Sequence, residues 1–309
     1  SVRVRNQRAD ETKGEGLKEK VVVLGAGGQL GRELLLTVPS GVDCTGLVRA
    51  ELDIADRALL GPRLAELSPQ LVINAAAYTA VDAAESEPAE AGRANAQGPA
   101  DLAAICSERG IRLLHISTDF VFDGESSTPY QTTAATAPLG EYGRSKLAGE
   151  REIQRRLPGA LIMRTGWVYS RFGNNFVKTM LRLMAQRDEL AVVADQVGTP
   201  TWARGLANAL WAAAGHPELQ GVYHWSDEGQ CSWYDFALAI CEEALDLGLL
   251  SRPVAIRPIP GSDYPTAAKR PSYSVLDKTR SWQDLSLPAI PWRTQLRSML
   301  IDLKESENE

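Results

Sequence analysis

Short apolar runs alternate with amphipathic segments along most of the chain. Four of these runs hold consecutive apolar residues without period-two alternation, which is typical of strands buried on both faces of a parallel sheet. They lie at 21–25 (VVVLG), 70–77 (QLVINAAA), 111–118 (IRLLHIST) and 160–168 (ALIMRTGWV). Between them, segments such as GGQLGRELLLTV have the spacing of helices. The repeated strand–helix–strand order predicts an α/β fold with a doubly wound parallel sheet of the Rossmann type.

The regular alternation ends after the fourth of these strands. Further helices are predicted at 175–185, 203–214 and 233–245, separated by loops rich in glycine, proline and aromatic residues. Such loops more often build a binding surface than an independent core. We therefore expect a Rossmann domain over 21–165 and a smaller, mainly substrate-binding lobe over 166–309, from which segments return to the first domain.

The first 20 residues are polar and charged without sustained periodicity. They predict a disordered extension, with a leader helix as the alternative. The segment lacks the basic, apolar and small-residue regions of a signal peptide, which favours a cytoplasmic location. The four cysteines are scattered without a C-x-x-C spacing, so we expect free thiols of a reducing compartment and no metal site or disulfide.

Composition excludes two classes of partner. The 309 residues carry a formal net charge of −6, which lacks the basic footprint of nucleic-acid binders. The longest apolar runs are the size of a strand, far below the roughly 20 residues that span a bilayer. The 44% hydrophobic content is enough for a sizeable globular core. We therefore expect no nucleic-acid and no membrane partner.

A glycine-rich motif, GAGGQLG at 25–31, follows the first apolar run and opens a predicted helix. Gly25 would permit a tight turn, Gly28 a close approach of the backbone to a diphosphate, and Gly31 close packing of the helix on the sheet. The helix N-terminus would offer free N–H groups and a partial positive charge to the phosphates. This context predicts NAD(P) binding by the first domain, with a plain glycine turn as the alternative.

A further strand is predicted to end near Gly46–Arg49, and the segment at its end bears on the choice of cofactor. Many NAD-binding chains place an acid there to hold the ribose hydroxyls, whereas this chain has LVRAELD, with Arg49 in position to meet a 2′-phosphate. The difference favours NADP(H) over NAD(H), with a solvated loop residue as the alternative for Arg49. Asp53 and Ile54 follow at a position suited to flanking the adenine.

A tyrosine and a lysine share one helix face in EYGRSKLAGE. Tyr142 and Lys146 lie four residues apart, about 6 Å along a helix axis. An ammonium about 4 Å from a phenol is worth up to about 4 kcal/mol, so Lys146 is expected to lower the pKa of Tyr142 toward neutrality. Thr118 ends a strand, where its hydroxyl could bind a substrate oxygen beside Tyr142. An exposed helix surface is the alternative for the pair. Small residues would let this helix pack closely on its neighbours: Gly143, Ser145, Ala148 and Gly149.

Six motifs in order resemble the extended short-chain dehydrogenase/reductase family. GAGGQLG, NAAAYT, STDFVF and YGRSKLAGE are similar to motifs of the family as a whole. RTGWVYSRFGNNFVKTMLRL and DQVGTPT narrow the resemblance to the branch that reduces dTDP-linked 4-ketosugars. The resemblance runs from about Val21 to about Leu303.

The resemblance implies catalytic roles for three residues. Tyr142 would donate a proton, Lys146 would modulate it and bind the cofactor ribose, and Thr118 would tune the transfer. Asn95 lies where related enzymes keep an asparagine that is either structural or part of a proton relay.

The resemblance also implies binding roles. Asp119 and Trp167 would contact the sugar together with Thr118 and Tyr142, with core filling as the alternative for Trp167. Arg270 would contact the substrate diphosphate, with an exposed surface residue as its alternative. The cofactor contacts would come from Gly25, Gly28, Gln29, Leu30, Gly31, Arg49, Asp53, Ile54, Ala76, Ala77, Tyr78, Tyr142 and Lys146.

Two departures from the family pattern narrow the prediction. Some members bind a divalent ion at a dimer contact through acidic side chains, and Glu33 could supply one such ligand. Arg204 stands where a second acid would be expected, which disfavours magnesium and leaves a homodimer open. The dehydratases of the wider family carry Asp-Glu after the threonine, whereas this chain has Asp119-Phe120, which disfavours water elimination.

The expected reaction is a hydride transfer from NADPH, or from NADH, to the C4 ketone of dTDP-4-dehydro-L-rhamnose, giving dTDP-L-rhamnose. Reduction of another nucleotide-linked 4-ketosugar is the nearer alternative, because the sequence leaves the sugar and the base open. A non-catalytic dinucleotide-binding subunit, similar to the regulatory β subunit of methionine adenosyltransferase, is the more distant one. The complete set of Thr118, Tyr142 and Lys146 disfavours that alternative.

Overall fold

A computed structural model describes residues 2–5 and 19–306 of the chain, with a seven-stranded sheet at its centre. The strands of the protein are β1 (Val2–Arg5), β2 (Glu19–Leu24), β3 (Val42–Leu47), β4 (Leu71–Asn74), β5 (Arg112–Thr118), β6 (Leu161–Thr165), β7 (Val168–Tyr169), β8 (Glu189–Val193), β9 (Val197–Gly198), β10 (Thr201–Trp202), β11 (Gly221–His224), β12 (Cys231–Ser232) and β13 (Ala255–Ile259). The central sheet has the order β1–β3–β2–β4–β5–β6–β11, with β1 antiparallel and all other pairs parallel. The predicted doubly wound parallel sheet is confirmed.

Helices connect most of these strands. They are α1 (Gln29–Leu36), α2 (Arg57–Leu67), α3 (Val81–Ala84), α4 (Pro88–Gly92), α5 (Gly98–Arg109), α6 (Glu141–Arg156), α7 (Phe176–Gln186), α8 (Ala203–Ala214), α9 (Trp233–Asp246), α10 (Thr279–Asp284) and α11 (Trp292–Ser306). The sequence predicts several of their boundaries. Ser232 and Asp235 form the expected capping box at the start of α9, and Gly110 ends α5 in the left-handed conformation.

Successive residues of β2 face opposite layers of helices. Val21 and Val23 pack in a core with residues of α1 and α8, whereas Val22 and Leu24 pack in a core with residues of α2 and α5. This alternation follows from the pleat of a strand, which points neighbouring side chains to opposite faces. A strand covered on both sides therefore needs apolar residues at every position, which explains the unbroken VVVL run.

A separate core, called the second core below, lies apart from the two layers that cover the central sheet and is built by residues after β6. It packs residues of α7, α9 and α11 with those of the parallel pair β8–β13. Chain segments from this half also return to the central sheet, since β11 pairs with β6 and α8 packs against α1. The division of the chain at residue 165 stays a prediction.

Residues 2–5 and 19–20 differ from the predicted disordered extension over the first 20 residues. Val2–Arg5 form an edge strand, and β2 already begins at Glu19, whereas residues 6–18 lie outside the described part of the chain. The VRVR sequence alternates apolar and polar residues, which suits an edge strand, and Arg3 forms an ion pair with Asp43 of β3 (2.6 Å).

The sequence AGRANAQGPADLAAICSERG (91–110) predicts one helix that ends at Gly110, but a π-helical turn interrupts it. This turn, Arg93–Gln97, joins α4 to α5 and carries the buried Asn95. π-Turns inserted in helices often occur at functional sites. The sequence contains no strong local signal for such a turn, since alanine, glutamine and arginine all suit an ordinary helix.

All four cysteines are free and buried, as expected for structural thiols. Across residues 2–5 and 19–306, no helix combines the length and the apolar character that a membrane crossing requires.

Candidate active site

The glycine motif forms a tight turn between β2 and α1. The N–H groups of Gly25 and Ala26 donate to the Leu47 carbonyl oxygen (3.1 and 3.0 Å), and Gly25 has φ +78°. A Cβ at Gly31 would lie 2.2 Å from the Gly25 carbonyl oxygen, and one at Gly25 would lie 2.6 Å from the Ala76 nitrogen. Backbone occupies both places, so only glycine fits there. The turn thereby brings the start of α1 directly against the ends of β2 and β4.

The start of α1 suits a diphosphate. Gly28 is the N-cap residue and has no side chain to accept hydrogen bonds from the first turn, so the N-terminus is capped by no side-chain oxygen. Such an N-terminus is a site for anions. The Leu30 side chain is buried in the core, so only its backbone could serve a cofactor, whereas Gln29 is partly buried and polar.

Two arginines surround Asp53 beyond the end of β3. Arg93 donates to the Asp53 carboxylate (3.1 Å), and Arg49 lies 3.5 Å from it with 74% of its side chain exposed. Burial raises the pKa of Asp53, but the Ala55 N–H and the two arginines outweigh it and hold that pKa below its usual range. Ile54 packs into the core with its side chain. Arg93 is a second basic residue at this edge that the sequence analysis did not identify.

Asn95 clamps the loop that follows β4. Its Oδ1 accepts from the Tyr78 N–H (2.9 Å), and its Nδ2 donates to the Tyr78 carbonyl (3.0 Å) and to the Ser145 hydroxyl (3.1 Å). These bonds hold the predicted Ala76–Tyr78 segment against α6. The structural role of Asn95 is thus visible, because every donor and acceptor of its amide engages the loop or the helix.

Helix α6 packs unusually close to its neighbours. A Cβ at Gly143 would lie 2.2 Å from the Phe120 carbonyl oxygen, and one at Gly149 would lie 2.1 Å from the Asn95 carbonyl oxygen. The Ser145 hydroxyl donates to the Tyr142 carbonyl (2.8 Å). The predicted close packing of this helix is therefore present on its Gly143 and Gly149 side, whereas Ala148 is exposed.

Tyr142 meets Thr118 at the end of β5. The Thr118 hydroxyl donates to the Asp119 carboxylate (3.1 Å) and lies beside the Tyr142 phenol. Burial raises the pKa of Tyr142 to about 12, and the nearby Asp119 charge raises it further, whereas the neighbouring Thr118 hydroxyl lowers it. The expected net lowering of the Tyr142 pKa toward neutrality is therefore wrong for this arrangement. The low-dielectric surroundings disfavour the phenolate more than any neighbour favours it.

Lys146 is buried and binds a backbone carbonyl of β5. Its side chain is 2% exposed, and its ammonium donates to the Ile116 carbonyl oxygen (2.6 Å). Burial lowers the pKa of Lys146 to about 8, against the charge of Glu150, which raises it. Glu150 itself is held by a buried bidentate pair with Arg164 (2.9 and 2.6 Å). Lys146 therefore remains mostly protonated at neutral pH.

Asp119 is a buried carboxyl directly beside Thr118. Burial raises its pKa to about 6, although hydrogen bonds from Ser274 and Thr118 lower it. A Cβ at Gly166 would lie 2.5 Å from this carboxylate, so the end of β6 needs glycine at that position. Ser274 comes from a segment 155 positions later in the chain, and no local pattern identifies it.

Trp167 lies in an aromatic cluster of the second core. Its ring stacks on Trp233, with centroids 3.4 Å apart, and its backbone has φ +51°, which is uncommon for a bulky residue. A Cβ at Gly198 would lie 2.5 Å from the indole. The partly buried ring is thus held rigidly, with Trp233 as a neighbour that the sequence analysis did not single out.

Arg270 approaches the site from the opposite side. Its Nη2 donates to Asp82 (2.7 Å), and its guanidinium carbon lies 5.9 Å from the Phe120 ring, which in turn packs edge-on against Tyr142. Its Nη1 is buried without a hydrogen-bond partner among the described residues. Arg270 therefore retains a donor for an anion near Tyr142.

Glu33, the acid considered as a ligand of a divalent ion, is paired with an arginine. Arg204 donates to the buried Glu33 (2.7 Å) and to Asp302 (3.1 Å), which also lies 3.4 Å from Arg171. A divalent cation would have to displace the guanidinium from the same carboxylate oxygens. These residues do not fit a magnesium site, and an ion-pair chain joins α1, the start of α8 and α11 instead.

A continuous path of contacts joins the predicted cofactor and catalytic residues. Gly25 abuts Ala76, the following loop is held by Asn95, and Asn95 binds Ser145 one turn from Tyr142. The glycine turn and the Thr118–Tyr142 pair therefore both lie at the carboxyl ends of the parallel strands, where ligands bind in open α/β sheets.

Comparison with known proteins gives consistent relatives. The family model described as "RmlD substrate binding domain" matches residues 19–305. A dTDP-4-dehydrorhamnose reductase of Aggregatibacter actinomycetemcomitans is 41% identical, covering 91% of this chain and 98% of the relative. A Streptomyces antibioticus protein named "Probable dTDP-4,6-dihydroxy-2-methyloxan-3-one 4-ketoreductase" is 39% identical over 93% of this chain and 96% of its own length.

A solved structure shows the same fold. The dTDP-4-dehydrorhamnose reductase of Bacillus anthracis, in complex with NADP, superposes with a TM-score of 0.87 at 35% identity. The match covers 92% of this chain and 99% of the relative.

Proposed function

This chain belongs to the RmlD substrate binding domain family, and from that premise we propose that it is an NADPH-dependent reductase of a dTDP-linked 4-ketosugar. The preferred substrate is dTDP-4-dehydro-L-rhamnose, with dTDP-L-rhamnose as the product. Two relatives support the proposal by name, the reductase of A. actinomycetemcomitans and the NADP complex of B. anthracis. The observation that carries it is the Thr118–Tyr142 pair, backed by the buried Lys146, at the end of β5.

When bound, NADPH would supply the hydride for the C4 ketone. Tyr142 then donates its phenolic proton to the developing alkoxide oxygen, which Thr118 also contacts. A pKa near 12 keeps Tyr142 protonated throughout the neutral range, as a proton donor requires.

Lys146 supports the phenolate that forms when Tyr142 has given up its proton. Its ammonium is fixed on the Ile116 carbonyl and remains mostly charged at neutral pH. A fixed positive charge in a water-poor site stabilises a developing anion without reorganisation. We assign the cofactor ribose to the same ammonium, which has two further N–H donors.

The substrate diphosphate is assigned to Arg270. The unpartnered Nη1 is a donor that an anion would satisfy, and the ion pair with Asp82 orients the guanidinium. Asp119 and Trp167 would then contact the sugar from the ends of β5 and β6. The cytoplasmic location and a homodimer stay predictions.

A second candidate substrate has specific support. The S. antibioticus relative is named as a ketoreductase of a different dTDP-linked sugar, and it is nearly as similar to this chain as the rhamnose enzyme. The reaction class is the same in both cases. A panel of dTDP-, UDP- and GDP-linked 4-ketosugars, assayed with NADPH and with NADH, decides between them.

The substitution Tyr142→Phe tests the mechanism. It removes the proton and leaves the ring, so NADPH-dependent reduction should fall by a factor of about 10² to 10⁴ while NADPH binding stays nearly unchanged. Reduction is followed by NADPH absorbance, and binding by NADPH fluorescence. Full activity in this variant would contradict the proposed role of Tyr142. A wild-type protein that binds NADPH but reduces no ketosugar would instead favour a non-catalytic regulatory subunit.

A further inference from the structure

The amide of Asn175 has one defined orientation. Asn175 is the N-cap residue of α7, and its Oδ1 accepts a hydrogen bond from the Lys178 backbone N–H (3.1 Å). A backbone N–H can only donate, so this atom of Asn175 must be the oxygen. The other end, Nδ2, is therefore the donor that meets the Ser170 carbonyl (2.6 Å).

The same Nδ2 group orients the first residue of α1. It donates to Oε1 of Gln29 (3.0 Å), across 146 positions of the chain. The amide oxygen of Gln29 is thereby turned toward Asn175. Its Nε2 group, with two N–H donors, has no hydrogen-bond partner among the described residues. Gln29 follows the N-cap Gly28, at the helix end that suits a diphosphate.

We propose that Asn175 is a positioning residue for the cofactor diphosphate, acting through Gln29. By accepting the Asn175 hydrogen bond on its oxygen, Gln29 presents N–H donors and not a carbonyl oxygen to the phosphates. An amide with the opposite orientation would set its oxygen against the phosphate oxygens. The inference rests on the proposed function, and it makes α7 of the second core part of the cofactor site.

Other contacts hold the 170–175 loop on α1 independently of this amide. Phe172 lies between the guanidinium groups of Arg32 and Arg171, whose carbons are 5.3 and 4.7 Å from the ring centroid. Ser170 donates to the buried Glu33 (2.6 Å). These contacts hold the loop on α1 when Asn175 changes. The change also removes the Nδ2 bonds to the carbonyl oxygens of Ser170 (2.6 Å) and Phe172 (3.4 Å), so the comparison with Gln29→Ala is needed to isolate the effect on the Gln29 amide.

Asn175→Ser separates the two roles of the residue. Serine is as good an N-cap as asparagine, so α7 keeps its start, but the short hydroxyl cannot reach Gln29. We expect NADPH to bind about 10-fold more weakly, as for the loss of one charge-assisted hydrogen bond. Adenosine 2′-monophosphate carries neither phosphate of the central diphosphate, and its affinity should be unchanged. Both dissociation constants are measured by calorimetry on the full chain.

Two further variants complete the test. Gln29→Ala alone should weaken NADPH binding by a similar factor, and the double variant should lose no more, because both changes remove one interaction. Asn175→Thr, which also caps, replaces Asn175→Ser if that variant does not fold. Unchanged NADPH affinity in the capped variants, an equal loss for adenosine 2′-monophosphate, or additive losses would each overturn the inference while leaving the proposed function intact.

The outcomes for the wild type separate the two claims. If it fails to reduce any ketosugar, but the variants lose NADPH affinity as expected, the proposed function fails and the positioning role stands. If the wild type does not bind NADPH, both are overturned.

Discussion

The glycine turn at 25–31 and the cluster of Thr118, Asp119, Tyr142 and Lys146 lie at the same edge of the central sheet, yet they are built on opposite principles. The turn is made by backbone atoms, with no ionisable side chain in GAGGQLG. The cluster is made by polar side chains, three of them ionisable, whose pKa values are shifted by burial. The turn should therefore be sensitive to added volume and indifferent to pH, whereas the cluster should respond to charge.

Gly31→Ala should have the largest effect on the backbone-built side. The new Cβ would lie 2.2 Å from the Gly25 carbonyl oxygen, so the turn or the helix must move. We expect a loss of about 4 kcal/mol in the free energy of unfolding, together with the loss of measurable NADPH binding. Chemical denaturation and fluorescence titration measure the two effects, and the stability loss should be the same at pH 5 and pH 8.

Gly92→Ala is the matched control. Gly92 is helical, and a Cβ there would meet no atom within 4 Å, so alanine should leave stability unchanged or raise it by up to about 1 kcal/mol. If both alanines were equally tolerated, the close approach at Gly31 would not be what requires glycine.

Asp119→Asn tests the charge-built side. The folded-state pKa of about 6 lies above the ordinary 3.8, so the folded protein holds this proton more tightly than the unfolded chain. The resulting stability is fully present below pH 4 and is lost as the pH rises through 6. That loss is about 3 kcal/mol. Asparagine has no such proton, so the variant does not undergo this loss. The free energy of unfolding of the variant minus that of the wild type should therefore rise by about 3 kcal/mol between pH 4 and pH 7.

Denaturation of both proteins at several pH values measures this difference, in which contributions from unchanged groups cancel. If the difference in free energy of unfolding between the two proteins did not vary with pH, the pKa of Asp119 would not be raised by folding. That result would also remove the contrast between the two regions.

Arg49→Gln should have the smallest effect, because this side chain is exposed at the outer edge of the cofactor cleft. Removing its charge should raise the KM for NADPH about 10-fold, because one charge-assisted hydrogen bond to the 2′-phosphate is lost. The KM for NADH should stay unchanged, because NADH has no 2′-phosphate. Steady-state kinetics with both cofactors measure the effect. An equal change for the two would assign Arg49 a role in folding or in the loop, and not in the choice of cofactor.

Several elements of the fold and the site could be predicted because their causes are local. The VVVL run, the Gly110 terminus and the Ser232–Asp235 capping box depend on residues within a few positions of each other. The glycine turn and the Tyr142–Lys146 spacing are equally local. The π-turn at Asn95 could not be predicted, because it forms where α5 must meet α6 and the loop after β4, which are distant in the chain.

The chemistry of the cleft depends on distant partners. Whether Lys146 lowers the pKa of Tyr142 is settled by burial and by the Ile116 carbonyl that binds its ammonium. Asp119 meets Ser274, Gln29 meets Asn175, and Glu33 meets Arg204, each across more than 140 positions. Periodicity, caps and glycine turns arise from backbone geometry over a few residues, so they can be predicted from the sequence alone. Desolvation, ion pairs and amide orientation arise only when remote segments pack together, so folding decides them.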